Sequence, residues 1–380
     1  MSATGLHSAL CSANGAYRIR RQGQGLFSAA LRCNAATKRG DGPMTDFQEP
    51  IRDVAHLGHV ELLTPRPAES LWFFTEVLGM TVTDRQGQSV YLRAYGDYEH
   101  CTLKLTEAPH AGLGHVGWRT VSPQALERRA QALSSQGYGQ GWIDGDVGHG
   151  RAYRFTDPDG HVMELYYEAK KYLASAELRS RLYNQPQKFT GHGVGVKRID
   201  HVNLMCHDIT PNRLFLQEQL GFRLRELLQP EENGVEEGAW LSVTPLTHDI
   251  AYMRDFSGAH GRLHHLAYWL DSREEVLRAA DILAEHDIFI EAGPARHNVS
   301  QAFFLYLYEP GGNRIEVYSG GYLAFAPDWE PIVWRREQRG RGVYWGGALP
   351  ESFKTYGTPV IEAVQAGQGG QTPAPVFDPL

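Results

Sequence analysis

Short stretches of alternating apolar and polar residues, each carrying a histidine, recur along the chain. Leu57–Thr64 (LGHVELLT) and Ile199–Cys206 (IDHVNLMC) have the two-residue period of a β-strand. Each gives way to helical spacing that closes on Leu-Gly, over Pro67–Gly79 and Pro211–Gly221. The glycine falls where a helix C-cap needs a left-handed residue. Leu113–Arg119 (LGHVGWR) and His264–Trp269 (HHLAYW) again read as strands, and each precedes a serine and a helical pattern, Pro123–Leu133 and Arg273–Glu285. Arg154–Tyr167 and Tyr306–Ser319 read as strand, turn, strand, with Asp-Pro-Asp-Gly or Glu-Pro-Gly-Gly at the turn. Each half of the chain is therefore two copies of one strand–helix–strands unit.

This repeat predicts an α+β fold of four βαβββ modules paired into two domains, each a curved mixed sheet around a cavity. The predicted divisions are an N-terminal extension over 1–45, a first domain over 46–170 and a connector over 171–197. A second domain follows over 198–322, then a C-terminal segment over 323–380. The segment Trp329–Trp345 is placed either over the active site or between subunits of a homo-oligomer, and residues 365–380 read as a mobile tail.

Composition narrows the class. The chain has 380 residues, 42% hydrophobic and 21% charged, with a formal net charge of -7. Mild acidity argues against a nucleic-acid partner, and no apolar run is long enough to cross a bilayer. Cys11, Cys33, Cys101 and Cys206 form no metal knuckle or disulfide framework, which suits a reducing cytoplasm. Residues 1–40 hold six Arg or Lys and no acid, like a transit peptide, but lack the apolar core of a secretory signal. Met44 is taken as the working start, and residues 1–43 stay outside the fold argument.

Redox-active non-haem iron is commonly held by two histidines and one carboxylate on one face, leaving adjacent positions open for substrate and O2. His201, His265 and Glu316 meet that need, on predicted strands at matching places in the repeat. Singly, each has a bland alternative. A strand histidine is more often an ordinary core or surface residue, and Glu316 shares its face with Arg314 and could point to solvent.

The segment His297–Glu316 (HNVSQAFFLYLYEPGGNRIE) closely resembles the signature of the extradiol ring-cleaving dioxygenases, supplying His297, Leu305, Tyr306, Glu309, Pro310, Gly312 and Glu316 in order. Ala295 departs from the pattern. The resemblance runs from about Gly58 to Thr358 and is to the two-domain type of the vicinal oxygen chelate (glyoxalase-like) superfamily, most like the catechol 2,3-dioxygenases. It implies Fe(II) on His201, His265 and Glu316, with spacing favouring His265 over His264. It implies proton handling by His248 and orientation of a catecholate oxygen by His297 and Tyr306. Asn203 and Trp240 fall where family members line the pocket. The implied partners are a small catechol and O2, and the implied reaction is ring opening beside the two hydroxyls. In relatives that take carboxymethyl catechols the resemblance implies an arginine just upstream of the motif His; here Ala292 and Ala295 leave only Arg296, which points to an uncharged catechol, and a biphenyl-2,3-diol is the near alternative. A metal-dependent isomerase or lyase, or a ligand-sequestering protein, are the rivals on this fold. Mn(II) suits the same donors as Fe(II).

His59, His115 and Glu164 repeat the triad in the first half. There Arg154 stands opposite Tyr306 and Gly145 opposite His297. A fixed guanidinium repels a cation, so the first domain is expected to be non-catalytic and iron to sit only in the second. His192, His207 and His286 are read as structural.

Overall fold

The computed structural model describes residues 49–339 and 342–360. Residues 1–43 and the expected tail at 365–380 lie outside the described residues.

Four βαβββ modules follow one another. The first comprises β1 (Val54–Thr64), α1 (Pro67–Trp72), β2 (Thr81–Gln86), β3 (Ser89–Arg93) and β4 (Leu103–Glu107). The second comprises β5 (Gly112–Thr120), α2 (Pro123–Ser135), β6 (Gly139–Ile143), β7 (Ala152–Thr156) and β8 (Val162–Tyr166). The third is β9 (Arg198–Cys206), α3 (Ile209–Leu220), β10 (Arg223–Leu228), β11 (Gly238–Ser242) and β12 (Ile250–Arg254). The fourth is β13 (Arg262–Trp269), α4 (Arg273–Glu285), β14 (Ile290–His297), β15 (Ala302–Tyr308) and β16 (Arg314–Gly320).

The helix ends follow local chemistry. Ser272 and Glu275 form a reciprocal capping box at the start of α4, and Ser122 caps α2 alone. Asp208 caps α3 through the Thr210 N–H, so this helix begins two residues before Pro211. Pro211 is tolerated there because first-turn N–H groups have no intrahelical acceptor. Gly221 closes α3 at φ 76°. The first helical stretch does not stay α-helical to its end: Phe73–Val77 is a π-turn, with Leu78 N–H donating to Phe73 O.

Modules one and two form an eight-stranded sheet in the order β2-β3-β4-β1-β5-β8-β7-β6. Modules three and four repeat that order as β10-β11-β12-β9-β13-β16-β15-β14. In each sheet the two modules meet at an antiparallel pair, β1 with β5 and β9 with β13, flanked by parallel neighbours. The C-terminal segment extends the second sheet. β17 (Ile332–Trp334) joins β10, β18 (Val343–Trp345) joins β14, and β19 (Thr358–Pro359) joins β13. Of the two places considered for Trp329–Trp345, the one over the cavity is occupied: Trp334 and Val343 line it.

The two domains interlock through the turns singled out in the sequence. The Asp157–Gly160 turn reaches the second domain, where Asp159 accepts from the Gly261 N–H at 2.7 Å. The Glu309–Gly312 turn reaches the first, where Glu309 accepts from Ser70 Oγ at 2.6 Å and Asn313 donates to Leu63 O at 2.9 Å. Fully buried His161 sits on the joint, with Nδ1 2.7 Å from Asp157 Oδ2 and Nε2 3.1 Å from Met205 O. Both ring nitrogens face acceptors, so the ring must be an imidazolium to satisfy them. Burial alone would lower its pKa, but Asp157 outweighs that and holds it above the ordinary value.

Candidate active site

The strand register brings the triad together. Ala267, on β13, lies opposite His201 on β9 and opposite Glu316 on β16. Cross-strand partners share a face, as do residues two apart on one strand. His201, Glu316 and His265 therefore project to one side, with the small Ala267 between them. The face question left open for Glu316 is answered by burial: its side chain is 1% exposed. Arg314, on the same face, is buried separately on Glu291 at 2.5 Å.

The three donor atoms form a compact triangle. His201 Nε2 is 3.0 Å and His265 Nε2 3.1 Å from Glu316 Oε2, and the two nitrogens are 3.2 Å apart. Ligands about 2.1 Å from a metal lie about 3.0 Å apart on the face of an octahedron and about 3.4 Å apart in a tetrahedron. The observed edges suit the octahedral face, which leaves the opposite side open. Glu316 Oε1 is buried with no hydrogen-bond partner, as is Asn203 Oδ1 nearby. Leaving such atoms unsatisfied costs free energy, so the donor set fits a divalent cation such as Fe(II).

The surrounding electrostatics prepare the same donors. Burial would raise the Glu316 pKa, but hydrogen bonds from both histidines hold it well below the carboxylate range. Burial would lower His201, but hydrogen bonds to Asp200 and Glu316 bring it up to about 9. His265 is pushed down to about 4 by burial. Asp200 Oδ2 accepts from His201 Nδ1 at 2.8 Å, fixing which nitrogen faces the cavity.

The triad lies at the floor of a cavity of about 480 Å³. All the other predicted site residues line it: His248, His297, Tyr306, Asn203 and Trp240. The His248 ring is 4.1 Å from that of His201, and its Nδ1 is 3.0 Å from Thr247 Oγ1, which turns Nε2 away from Thr247. Burial drives its pKa well below the ordinary value, so it is neutral. His297 Nε2 and the Tyr306 hydroxyl are 3.0 Å apart. Lys354 is the one Lys or Arg among the described lining residues. His192 pairs with Glu76, His207 stacks on His260, and His286 packs on Trp72, all away from this cavity.

Sequence reasoning missed Asp200, Tyr318 and the lining residues beyond Trp345, from Gly346 to Lys354. Tyr318, two residues beyond Glu316 on the same strand face, sets its ring 5.0 Å from that of His201. The Asp-His pair inside an apolar strand was a readable signal for Asp200. The role of that last stretch depends on long-range packing and carried no local mark.

The sequence profile of the Glyoxalase/Bleomycin resistance protein/Dioxygenase superfamily matches residues 56–165 and 198–317, one stretch in each domain. The chain belongs to that superfamily. Within the superfamily it is 52% identical over 318 residues to a metapyrocatechase of Geobacillus stearothermophilus, an alignment covering 83% of this chain and 97% of that one. It is 45% identical over 299 residues to a manganese-dependent 2,3-dihydroxybiphenyl 1,2-dioxygenase of Geobacillus genomosp. 3, covering 78% and 94%. Among solved structures it is similar to homoprotocatechuate 2,3-dioxygenase from Arthrobacter globiformis, with a TM-score of 0.73 and 28% identity, covering 82% of this chain and 94% of that one. Two of these three relatives are dioxygenases by name and the third is a metapyrocatechase, in line with the extradiol reading of the sequence. Among the described residues no helix is long and apolar enough to cross a membrane.

Proposed function

We propose that this protein is an Fe(II)-dependent extradiol dioxygenase that opens catechol, or an uncharged substituted catechol, beside its two hydroxyls to give a 2-hydroxymuconic semialdehyde. The observation that carries this reading is the octahedral-face triangle of His201, His265 and Glu316 at the floor of a roomy cavity. His201, His265 and Glu316 would hold the iron. When bound, Fe(II) supplies a centre that gathers both catechol oxygens and O2 and exchanges electrons with them.

The protein's own groups manage protons and position. A catechol that binds as its anion must lose protons, and the Tyr306 hydroxyl and His297 Nε2 form a hydrogen-bonded pair that can take one up. Neutral His248 faces the other side of the triad and offers an acid–base group where negative charge gathers on oxygen. Trp240, Met253 and Phe353 make apolar walls that exclude water and hold a ring. With Lys354 as the one Lys or Arg among the described lining residues, an anionic ring substituent finds little to pair with.

The cavity is larger than a single ring requires, and this favours a second reading in which a biphenyl-2,3-diol is the better substrate. Mn(II) is the corresponding second choice of metal, since a 45% identical relative carries manganese in its name.

The test is to load the metal-free protein with Fe(II) under anaerobic conditions, add catechol or biphenyl-2,3-diol, admit air, and follow near-visible absorbance with O2 consumption. One O2 per diol with a yellow product, absent in Glu316→Ala, is the expected result. Bound iron without O2 uptake on any catechol would overturn the assignment in favour of an isomerase or binding protein.

A further inference from the structure

The first domain holds a second constellation that ring cleavage does not use. By the same register argument, Gly117 on β5 lies opposite both His59 and Glu164, and His115 stands two residues away on the same face. These are the places of Ala267, His201, Glu316 and His265. A fourth donor arrives that the repeat did not foretell. His149, in the loop between β6 and β7, places its Nε2 3.2 Å from Glu164 Oε1. His59 Nε2 is also 3.2 Å from that oxygen, His115 Nε2 is 3.5 Å from it, and the His59 and His115 nitrogens are 2.9 Å apart.

We propose that His59, His149 and Glu164, completed by His115, bind a second divalent transition-metal ion of the zinc class, with a structural role. Two observations beyond the clustering point to an ion. Glu164 Oε1 and His149 Nε2 are buried with no hydrogen-bond partner, though they face one another across the cluster. Such groups are costly to leave unsatisfied. The far nitrogens are also held as metal-binding imidazoles are held. His115 Nδ1 donates to Glu61 Oε2 at 2.8 Å, and His149 Nδ1 to Gly150 O at 2.9 Å. Each ring thereby turns Nε2 inward.

The surroundings make this site closed where the other is open. Glu61 takes the register place of Asn203 and is itself fixed by Thr106 and Lys104. The space beside His59 and His149 is about 10 Å³, room for no substrate. Gly117 is required here, since a Cβ built on it falls 2.2 Å from His59 Cε1. The guanidinium of Arg154, which argued for an empty first domain, reaches only the other oxygen, Glu164 Oε2, at 3.4 Å. Oε1 is left to the histidines. A full set of protein ligands with no open position marks a structural site rather than a catalytic one.

The experiment is metal stoichiometry on the full chain, stripped with chelator and titrated with Zn(II), across wild type, Glu316→Gln, Glu164→Gln and the double variant. Far-UV circular dichroism shows that each is folded. Gln has the shape of Glu, so each change leaves the sheets intact. The expected result is two ions per chain in wild type, one in each single variant and none in the double variant, with Zn(II) raising the Tm of Glu316→Gln but not of the double variant. Reloaded with Fe(II), Glu164→Gln keeps ring-cleaving activity. One ion in wild type and none in Glu316→Gln would overturn the proposal and leave the cluster a hydrogen-bonded network. Retention of an ion in the double variant would overturn it as well. Neither result bears on whether catechol is cleaved, which the O2 assay decides separately.

Discussion

Asp200 touches the active site only through His201, so changing it separates metal affinity from catalysis. Its Oδ2 accepts from His201 Nδ1 at 2.8 Å, and both groups are buried. A hydrogen bond to a charged partner contributes about 1.5–3 kcal/mol. Part of the Asp200 charge is already engaged by Arg198, 2.5 Å from Oδ1, so the lower part of that range applies. At about 1.5–2 kcal/mol, Asp200→Ala should weaken metal binding roughly 10- to 30-fold. Asp200→Asn keeps an acceptor for Nδ1–H and should lose less. Arg198 is partly exposed, so water can take over its pairing and the fold should survive. Competition with a fluorescent chelator gives the Kd, and kcat at saturating Fe(II) should change far less than Kd does. Equal Kd values for wild type and both variants would refute the idea that Asp200 orients and strengthens the His201 ligand.

Three further outcomes follow from the same geometry. With His201 held up to about 9, the metal-free active site carries a proton at pH 7 that an incoming ion must displace. Affinity should thus rise about tenfold per pH unit from pH 7 and level off near pH 9, and a flat profile between pH 7 and 8 in Glu164→Gln, where only this site remains, would contradict it. His248→Ala should lower kcat by roughly 10²- to 10⁴-fold with Fe(II) content unchanged; loss of iron instead would make it a ligand rather than a proton carrier. His161→Ala strands Asp157 at the domain joint and should cost about 3–5 kcal/mol by denaturant unfolding. Because the folded pKa of His161 is raised, its contribution is complete below the unfolded value and is lost as pH rises through the folded value. The wild-type advantage over His161→Ala should shrink in alkaline solution.

The fold was largely legible because each module repeats one local pattern. The α4 boundaries match the sequence expectation residue for residue, and all four module helices start at a side-chain cap or an N-terminal proline that marks them. The π-turn after Trp72 was not legible, since its hydrogen-bond shift answers to packing of Phe73 and Phe74 in the core. In the second domain, two-residue alternation told which residues share a strand face. Only the cross-strand register placed Ala267 between His201 and Glu316. His149 escaped notice because comparing strands leads to Gly145, while the loop delivers its histidine four residues later. Phe353, packed on Tyr306, belongs to a stretch whose sequence shows no periodicity to place it.

The reciprocal turns make each domain the other's missing part. A cut between residues 170 and 198 would leave Glu309 and Asn313 without Ser70 and Leu63 on one side, and Asp157 and Asp159 without Tyr252 and Gly261 on the other. Each half would expose acidic groups seated in its twin, next to apolar surface that now closes the shared core. The half without the open cavity is thus a chaperone bound for life, and genes encoding either half alone should yield insoluble chains, while co-expression of the two pieces should restore a folded pair.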